Sequence, residues 1–121
     1  MTIKPFPYDL SVCKLKSFDA ALLNDPLCFV GKTDEELSLV CLTEHAPEDC
    51  IAREDGWKVF RIQGILDFSL TGILAGIAKL LAEAGIAIFA VSTYNTDYIL
   101  VKAENYQKAL DHLKENGYII E

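Results

Sequence analysis

Seven apolar residues, Leu70, Ile73, Leu74, Ile77, Leu80, Leu81 and Ala84, step along the chain by 3, 1, 3, 3, 1 and 3. That spacing draws one apolar stripe down a helix, and the stripe needs an apolar surface to cover it. A helix is predicted over 69–84, with Asp67 or Ser69 capping its start and Gly85 ending it in the left-handed conformation. Val59, Phe60 and Ile62 mark a strand before it, over 57–63. Residues 86–93 are apolar on both faces, the pattern of a central buried strand. Tyr94 and Asn95 turn the chain into a returning strand over 97–102. A second helix over 104–116 buries Tyr106, Ala109, Leu110 and Leu113 and stops at Gly117, and residues 118–120 form a last strand. The order β-α-β-β-α-β is the ferredoxin-like arrangement of the α+β class. Its antiparallel four-stranded sheet is covered on one face by two helices.

The first half repeats this outline in reduced form. Residues 8–16 alternate, with a change of parity at Val12–Cys13 that predicts a bulge or a strand buried on both faces. Residues 19–24 suit one helical turn, and 27–31 and 36–43 suit strands. The stretch 44–56 carries Glu44, Glu48, Asp49, Glu54 and Asp55 with Pro47, and reads as a solvated connector. The expected organisation is a degenerate unit over 1–55 and a complete one over 56–121. Similarity between the halves is too low to demonstrate a repeat. The open face of the second sheet needs cover, from the first half or from a partner subunit.

The chain has 121 residues, with 18 acidic side chains against 11 basic, a net charge of −7. That balance argues against nucleic acids and anionic membranes, which reward basic faces. Asp67, Lys79, Glu83 and Asp97 break the most apolar region into runs shorter than the ~20 residues of a membrane span. The first seven residues do not resemble a signal peptide, so a cytoplasmic location is expected. Cys13, Cys28, Cys41 and Cys50 form no CxxC pair and read as reduced thiols acting as small core residues. Cys41, His45 and Cys50 as a metal site is the rival reading, but the spacing fits no usual zinc pattern. Only Arg53 and Arg61 carry guanidinium groups, and neither lies in the loop over 67–72 where a phosphate-gripping arginine would sit. His45 and His112 are far apart, and His112 beside Asp111 and Lys114 is expected in solvent. Little of what an active site requires is present, so no catalysis, cofactor or metal is expected.

Two segments carry ligand chemistry. Residues 64–72 join a strand to a helix, whose first N–H groups attract an anion. Ser69 and Thr71 add hydroxyls there, although ordinary capping uses the same residues. Residues 91–98 read Val-Ser-Thr-Tyr-Asn-Thr-Asp-Tyr, enough to turn a hairpin unaided. Asp97, however, opens an otherwise apolar strand, where a carboxylate can hold an ammonium or guanidinium group.

The run 88–101, Ile-Phe-Ala-Val-Ser-Thr-Tyr-Asn-Thr-Asp-Tyr-Ile-Leu-Val, following the helix, resembles the ACT domain family. It is most similar to small tandem-ACT proteins related to the CASTOR arginine sensors. The resemblance covers 57–120 well and the first half loosely. It implies two ACT-like units packed together, the first degenerate, that bind a small ligand, most often an amino acid, at an ACT–ACT interface. It implies a homodimer and a regulated protein partner. By position it implies ligand contacts at Asp67, Ser69, Leu70 and Thr71, with Gly72 permitting close approach. Thr93, Tyr94, Thr96 and Asp97 complete the implied set. The roles expected are an α-carboxylate on the N–H groups at 69–72, a cation on Asp97 and Tyr94 packed on the ligand stem. Arginine lacks a second carboxylate after Ser69. The alternative is an ACT-like assembly module that binds no ligand and packs through Gly72, Ala75, Gly76 and Ala82.

Overall fold

The computed structural model describes residues 1–64 and 72–121. Its strands are β1 (Thr2–Pro5), β2 (Leu10–Lys14), β3 (Phe29–Lys32), β4 (Leu37–Leu42), β5 (Ala52–Ile62), β6 (Phe89–Ser92), β7 (Asp97–Lys102) and β8 (Ile119–Ile120). Its helices are α1 (Ile73–Glu83) and α2 (Tyr106–Glu115). The chain divides into two compact units, Tyr8–Trp57 on one side and Met1–Pro7 with Lys58–Glu121 on the other.

In the larger unit the strand order is β8-β1-β5-β7-β6. Removing β1 leaves the expected ferredoxin-like order. Its presence is the difference from the sequence reading, which placed no element before residue 8. β1 lies antiparallel to β5, with Ile3 opposite Ile62, and parallel to β8, with Ile3 opposite Ile120. Four residues with one apolar side chain at Ile3 give almost no periodic signal. The strand forms because both its edges find backbone partners. Gln63 N–H donates to the Thr2 carbonyl at 2.8 Å, and Ile119 N–H to the Met1 carbonyl at 2.9 Å.

The helical stripes fall where the spacing puts them. Ile77 and Leu81 of α1, and Ala109, Leu110 and Leu113 of α2, are buried against Ile3, Phe60, Ile62, Ile99 and Val101. Both helices end the same way. Ile86 N–H reaches the Leu81 carbonyl at 2.9 Å with Gly85 at φ 75°, and Tyr118 N–H reaches the Leu113 carbonyl at 3.1 Å with Gly117 at φ 94°. Each is a Schellman closure with glycine in the left-handed region. At its start α1 has Gly72 at φ 80°. The expected caps Asp67 and Ser69 lie outside the described residues.

The smaller unit has the order β3-β4-β2-β5, antiparallel throughout, with β5 contributing residues 52–57. Its helices are reduced to the 3₁₀ turns Ala20–Asn24 and Thr43–His45. Cys13, Leu15, Leu22, Leu39 and Cys41 form its core. Two elements differ from expectation. The acidic connector ends early, because β5 already begins at Ala52. Exposed Arg53, Glu54 and Asp55 suit the edge position that β5 holds in this unit. Buried Ser11 fastens them, donating its hydroxyl to Asp55 Oδ1 at 2.5 Å. The expected bulge exists, but β5 carries it. Leu10 faces Trp57 and Val12 faces Glu54, so β5 has the extra residue, and Gly56 beside it stands at φ 87°.

Elements of the two units recur 60 residues apart. β3 corresponds to β6, β4 to β7, and the turn Thr43–His45 to the turn Ala103–Asn105. The hairpins even share their closure: Thr33 N–H donates to the Glu36 carbonyl at 2.9 Å, and Thr93 N–H to the Thr96 carbonyl at 2.8 Å.

An alanine at Gly85 or Gly117 forces an L residue into the left-handed region at a cost of about 1–2 kcal/mol. Each single variant should therefore unfold at lower urea concentration with an unchanged m-value. A midpoint equal to that of the parent would overturn the closure assignment.

Candidate functional site

In the larger unit, β5 ends beside the hairpin that joins β6 to β7. One buried hydrogen bond ties the two, from Thr96 Oγ1 to the Ile62 carbonyl at 2.6 Å. Thr93 closes the hairpin, its hydroxyl donating to the Thr96 carbonyl at 3.0 Å. Beside this tie lies an open cavity of about 250 Å³ lined by Arg61, Gln63, Gly64, Asn95, Thr96 and Tyr98.

Strand alternation decides which side chains reach it. Phe60 and Ile62 enter the core under the helices, so Arg61 between them takes the opposite face. Ile99 and Val101 enter that core from β7, so Tyr98 shares the face of Arg61. The guanidinium is held in place by neutral groups. Its Nε donates to Gln63 Oε1 at 2.9 Å and its Nη1 to the Tyr98 hydroxyl at 3.2 Å. It lies over the Phe6 and Tyr98 rings, 5.0 and 5.9 Å from their centroids.

The residues expected from sequence separate. Thr96 lines the cavity and Thr93 shapes the turn. Asp97 does not line it. Alternation puts Asp97 on the face of Ile99, where it accepts the Ser92 hydroxyl at 2.5 Å. Tyr94 is 80% exposed. At Gly72 an added Cβ would meet nothing within 4 Å among the described residues, so φ 80° rather than close approach explains the glycine. Asp67, Ser69, Leu70 and Thr71 lie outside the described residues. Sequence reasoning missed Arg61, setting it aside because it lies outside the 67–72 loop where a phosphate-gripping arginine would sit. The available signal was its place between Phe60 and Ile62, a cation flanked on both sides by core residues. His112, expected in solvent, is half-buried, and its Nε2 has no hydrogen-bond partner among the described residues.

The cysteines lie in the smaller unit. All four are free. Burial, followed by a hydrogen bond with Cys50, pushes the Cys13 thiol up to about 12. Burial also pushes Cys41 up to about 11. Cys50 Sγ donates to the Pro47 carbonyl at 2.8 Å. Among the described residues no group of three His, Cys, Asp or Glu is arranged to hold a metal. His45 instead places Nδ1 2.9 Å from Asp25 Oδ2, and that hydrogen bond raises its pKa.

A family model described as "ACT domain" matches residues 52–115. The chain belongs to the ACT domain family. Over the whole chain it is similar to protein Atu0741 from Agobacterium tumefaciens, at 30% identity and a TM-score of 0.89, covering 99% of this chain and 91% of that one. Protein VC0802 from Vibrio cholerae, of unknown function, matches at 24% identity and a TM-score of 0.74, covering 94% and 88%. The ligand-free regulatory subunit of aspartate kinase from Thermus thermophilus shares the fold, with a TM-score of 0.66 at 12% identity over 95% and 96%. No curated protein matches the chain. Among the described residues no helix is long and apolar enough to cross a membrane.

Two expected outcomes follow from the smaller unit. Because only the thiolate reacts, Cys13 and Cys41 should alkylate with iodoacetamide at pH 8 far more slowly in the native protein than in guanidinium. Peptide mass mapping reads the ratio, and equal native and unfolded rates would contradict their burial. The folded-state pKa of His45 exceeds its unfolded value near 6.5. The stabilisation from the pair with Asp25 is therefore complete below that value and is lost as pH rises through the raised one. Asp25→Asn should lower the His45 NMR titration midpoint and remove this part of the pH dependence.

Proposed function

We propose that the protein is a non-catalytic regulatory module that binds a free amino acid and transmits its presence to a protein partner. The observation that carries this reading is the cavity at the end of β5, closed by the Thr93–Thr96 turn, within the segment matched by the ACT model. ACT domains are regulatory, ligand-binding modules, and a solved regulatory subunit of aspartate kinase shares this fold. The proposed ligand contacts are Asp67, Ser69, Leu70, Thr71 and Gly72 from the strand-to-helix segment and Thr93, Tyr94, Thr96 and Asp97 from the hairpin. Asp97 takes the ligand's cationic group: one carboxylate oxygen is engaged by Ser92, and the other has acceptor capacity to spare.

The unit Tyr8–Trp57 is proposed as a degenerate ACT-like companion. Its strand order and the recurrence at 60 residues support this, as does the hairpin closure it shares with the larger unit. The tandem arrangement is that of the CASTOR-like proteins the sequence resembles. A homodimer in the cytoplasm completes the proposal.

Calorimetric titration with each of the twenty amino acids tests it. At least one should bind below millimolar, and Asp97→Ala should weaken it about tenfold, the loss of one charge-assisted contact. If none binds below millimolar, the amino-acid reading is wrong. Unchanged binding by the variant would remove Asp97 from the site.

A further inference from the structure

Among the described residues that line it, the cavity carries a charge of one sign. Arg61 supplies a cation, and its partners Gln63 and Tyr98 are neutral. No carboxylate lies within salt-bridge distance of it among the described residues. A guanidinium has five N–H donors in a planar fork. Two of them are used in the contacts above, which leaves donors on Nη1 and Nη2. The two neutral bonds and the flanking rings fix the plane of the fork, so little ordering remains when an anion docks.

A second observation points the same way. Lys4 of β1 stands directly opposite Arg61 of β5, and its ammonium lies 5.8 Å from the centroid of the Phe6 ring that Arg61 covers. Like charges directly opposite across two strands are destabilising. This protein has 18 acidic side chains, yet the described structure places none in a salt bridge to either cation. A cationic pair held open in an acidic chain is the arrangement of an anion subsite.

We infer that Arg61, supported by Lys4, binds a carboxylate of the ligand in the cavity between β5 and the β6–β7 hairpin. This deepens the amino-acid reading and rests on it for the ligand class. A side-chain carboxylate is a group that the Asp67–Gly72 segment and Asp97 do not take, whereas an α-carboxylate at Arg61 replaces the one expected on the N–H groups at 69–72. The planar fork matches a carboxylate by two parallel N–H···O bonds. Gln63, Gly64, Asn95, Thr96 and Tyr98 line the rest, and a cavity of about 250 Å³ suits a small metabolite. The carboxylate is either the α-carboxylate shared by all amino acids or the side-chain carboxylate of an acidic one, and matched ligands separate the two.

The experiment is a titration of the full chain, labelled at arginine Nε, with L-glutamate, L-glutamine, L-arginine and glutarate, read by NMR and by calorimetry. Ligand binding should shift the Arg61 Nε–H resonance, leave that of Arg53 in place, and weaken about tenfold or more in Arg61→Gln. Arg61→Lys, which keeps the charge and loses the fork, should fall between. A shift with L-glutamate and glutarate alone assigns the side-chain carboxylate, and a shift with all three amino acids assigns the α-carboxylate. An amino acid that binds without moving the Arg61 resonance, or with equal affinity to folded Arg61→Gln, overturns this inference and leaves the amino-acid reading standing. Glutarate binding at Arg61 while no amino acid binds does the reverse. A resonance that moves with none of the four overturns the inference, and it does so in the parent protein, whatever the stability of the variants.

Discussion

The larger unit depends on a strand of four residues. β1 fills the gap between β5 and β8, and each of those strands bonds to it rather than to the other. β8 has only two residues, and its parallel pairing with β1 is what makes it a strand. The Tyr106 hydroxyl fastens the arrangement from α2, donating to the Val59 carbonyl at 2.6 Å and accepting from the Phe6 N–H at 3.3 Å. Burial raises the pKa of that hydroxyl, so it remains a donor over the physiological range. β1 brings Ile3 into the core beneath both helices, and Lys4 and Phe6 to the neighbourhood of Arg61. The inserted strand therefore sets a second cation opposite the one that Arg61 of β5 brings to the cavity.

The site follows from alternation along β5 and β7. Thr96 ties the hairpin to the last carbonyl of β5, and from that fixed point Asp97 and Tyr98 turn to opposite faces. A carboxylate and a cationic cavity thus stand at the same end of one sheet, on different sides of it. The smaller unit has the corresponding hairpin, but Leu37 stands where β7 has Asp97, and Gly31 where β6 has Val91. The two hairpins share a turn closure and differ in the residues that flank it.

Sequence patterns revealed the elements that bury a periodic face. The stripes of α1 and α2, the apolar strand β7 and the glycines that close both helices could all be read directly, because each leaves a local signature; β6, expected as a central buried strand, pairs among the described residues with β7 alone and leaves Ala90 and Ser92 exposed. The turn Ser92–Asp97 was legible in its residue types. β1 and the acidic start of β5 could not be read this way. Their pairing is backbone to backbone, and exposed charged residues on an edge leave no apolar period. The bulge was anticipated from β2, yet Gly56 on the opposite strand provides it. The repeat at 60 residues was obscured because the segment between the first two strands of the smaller unit lacks a full helix, and because its elements preserve hydrogen-bond geometry rather than identity.

The sequence by itself determined the class of fold, the two helical stripes and the turn residues, since those depend on neighbours a few positions apart. Tertiary structure alone decided that Met1–Pro7 joins the larger unit and that Tyr98 and Arg61 meet while Asp97 faces away. It also decided that Lys4 stands opposite Arg61. These are contacts between residues dozens of positions apart, fixed by strand register, and register is set by the burial of whole faces rather than by any one residue.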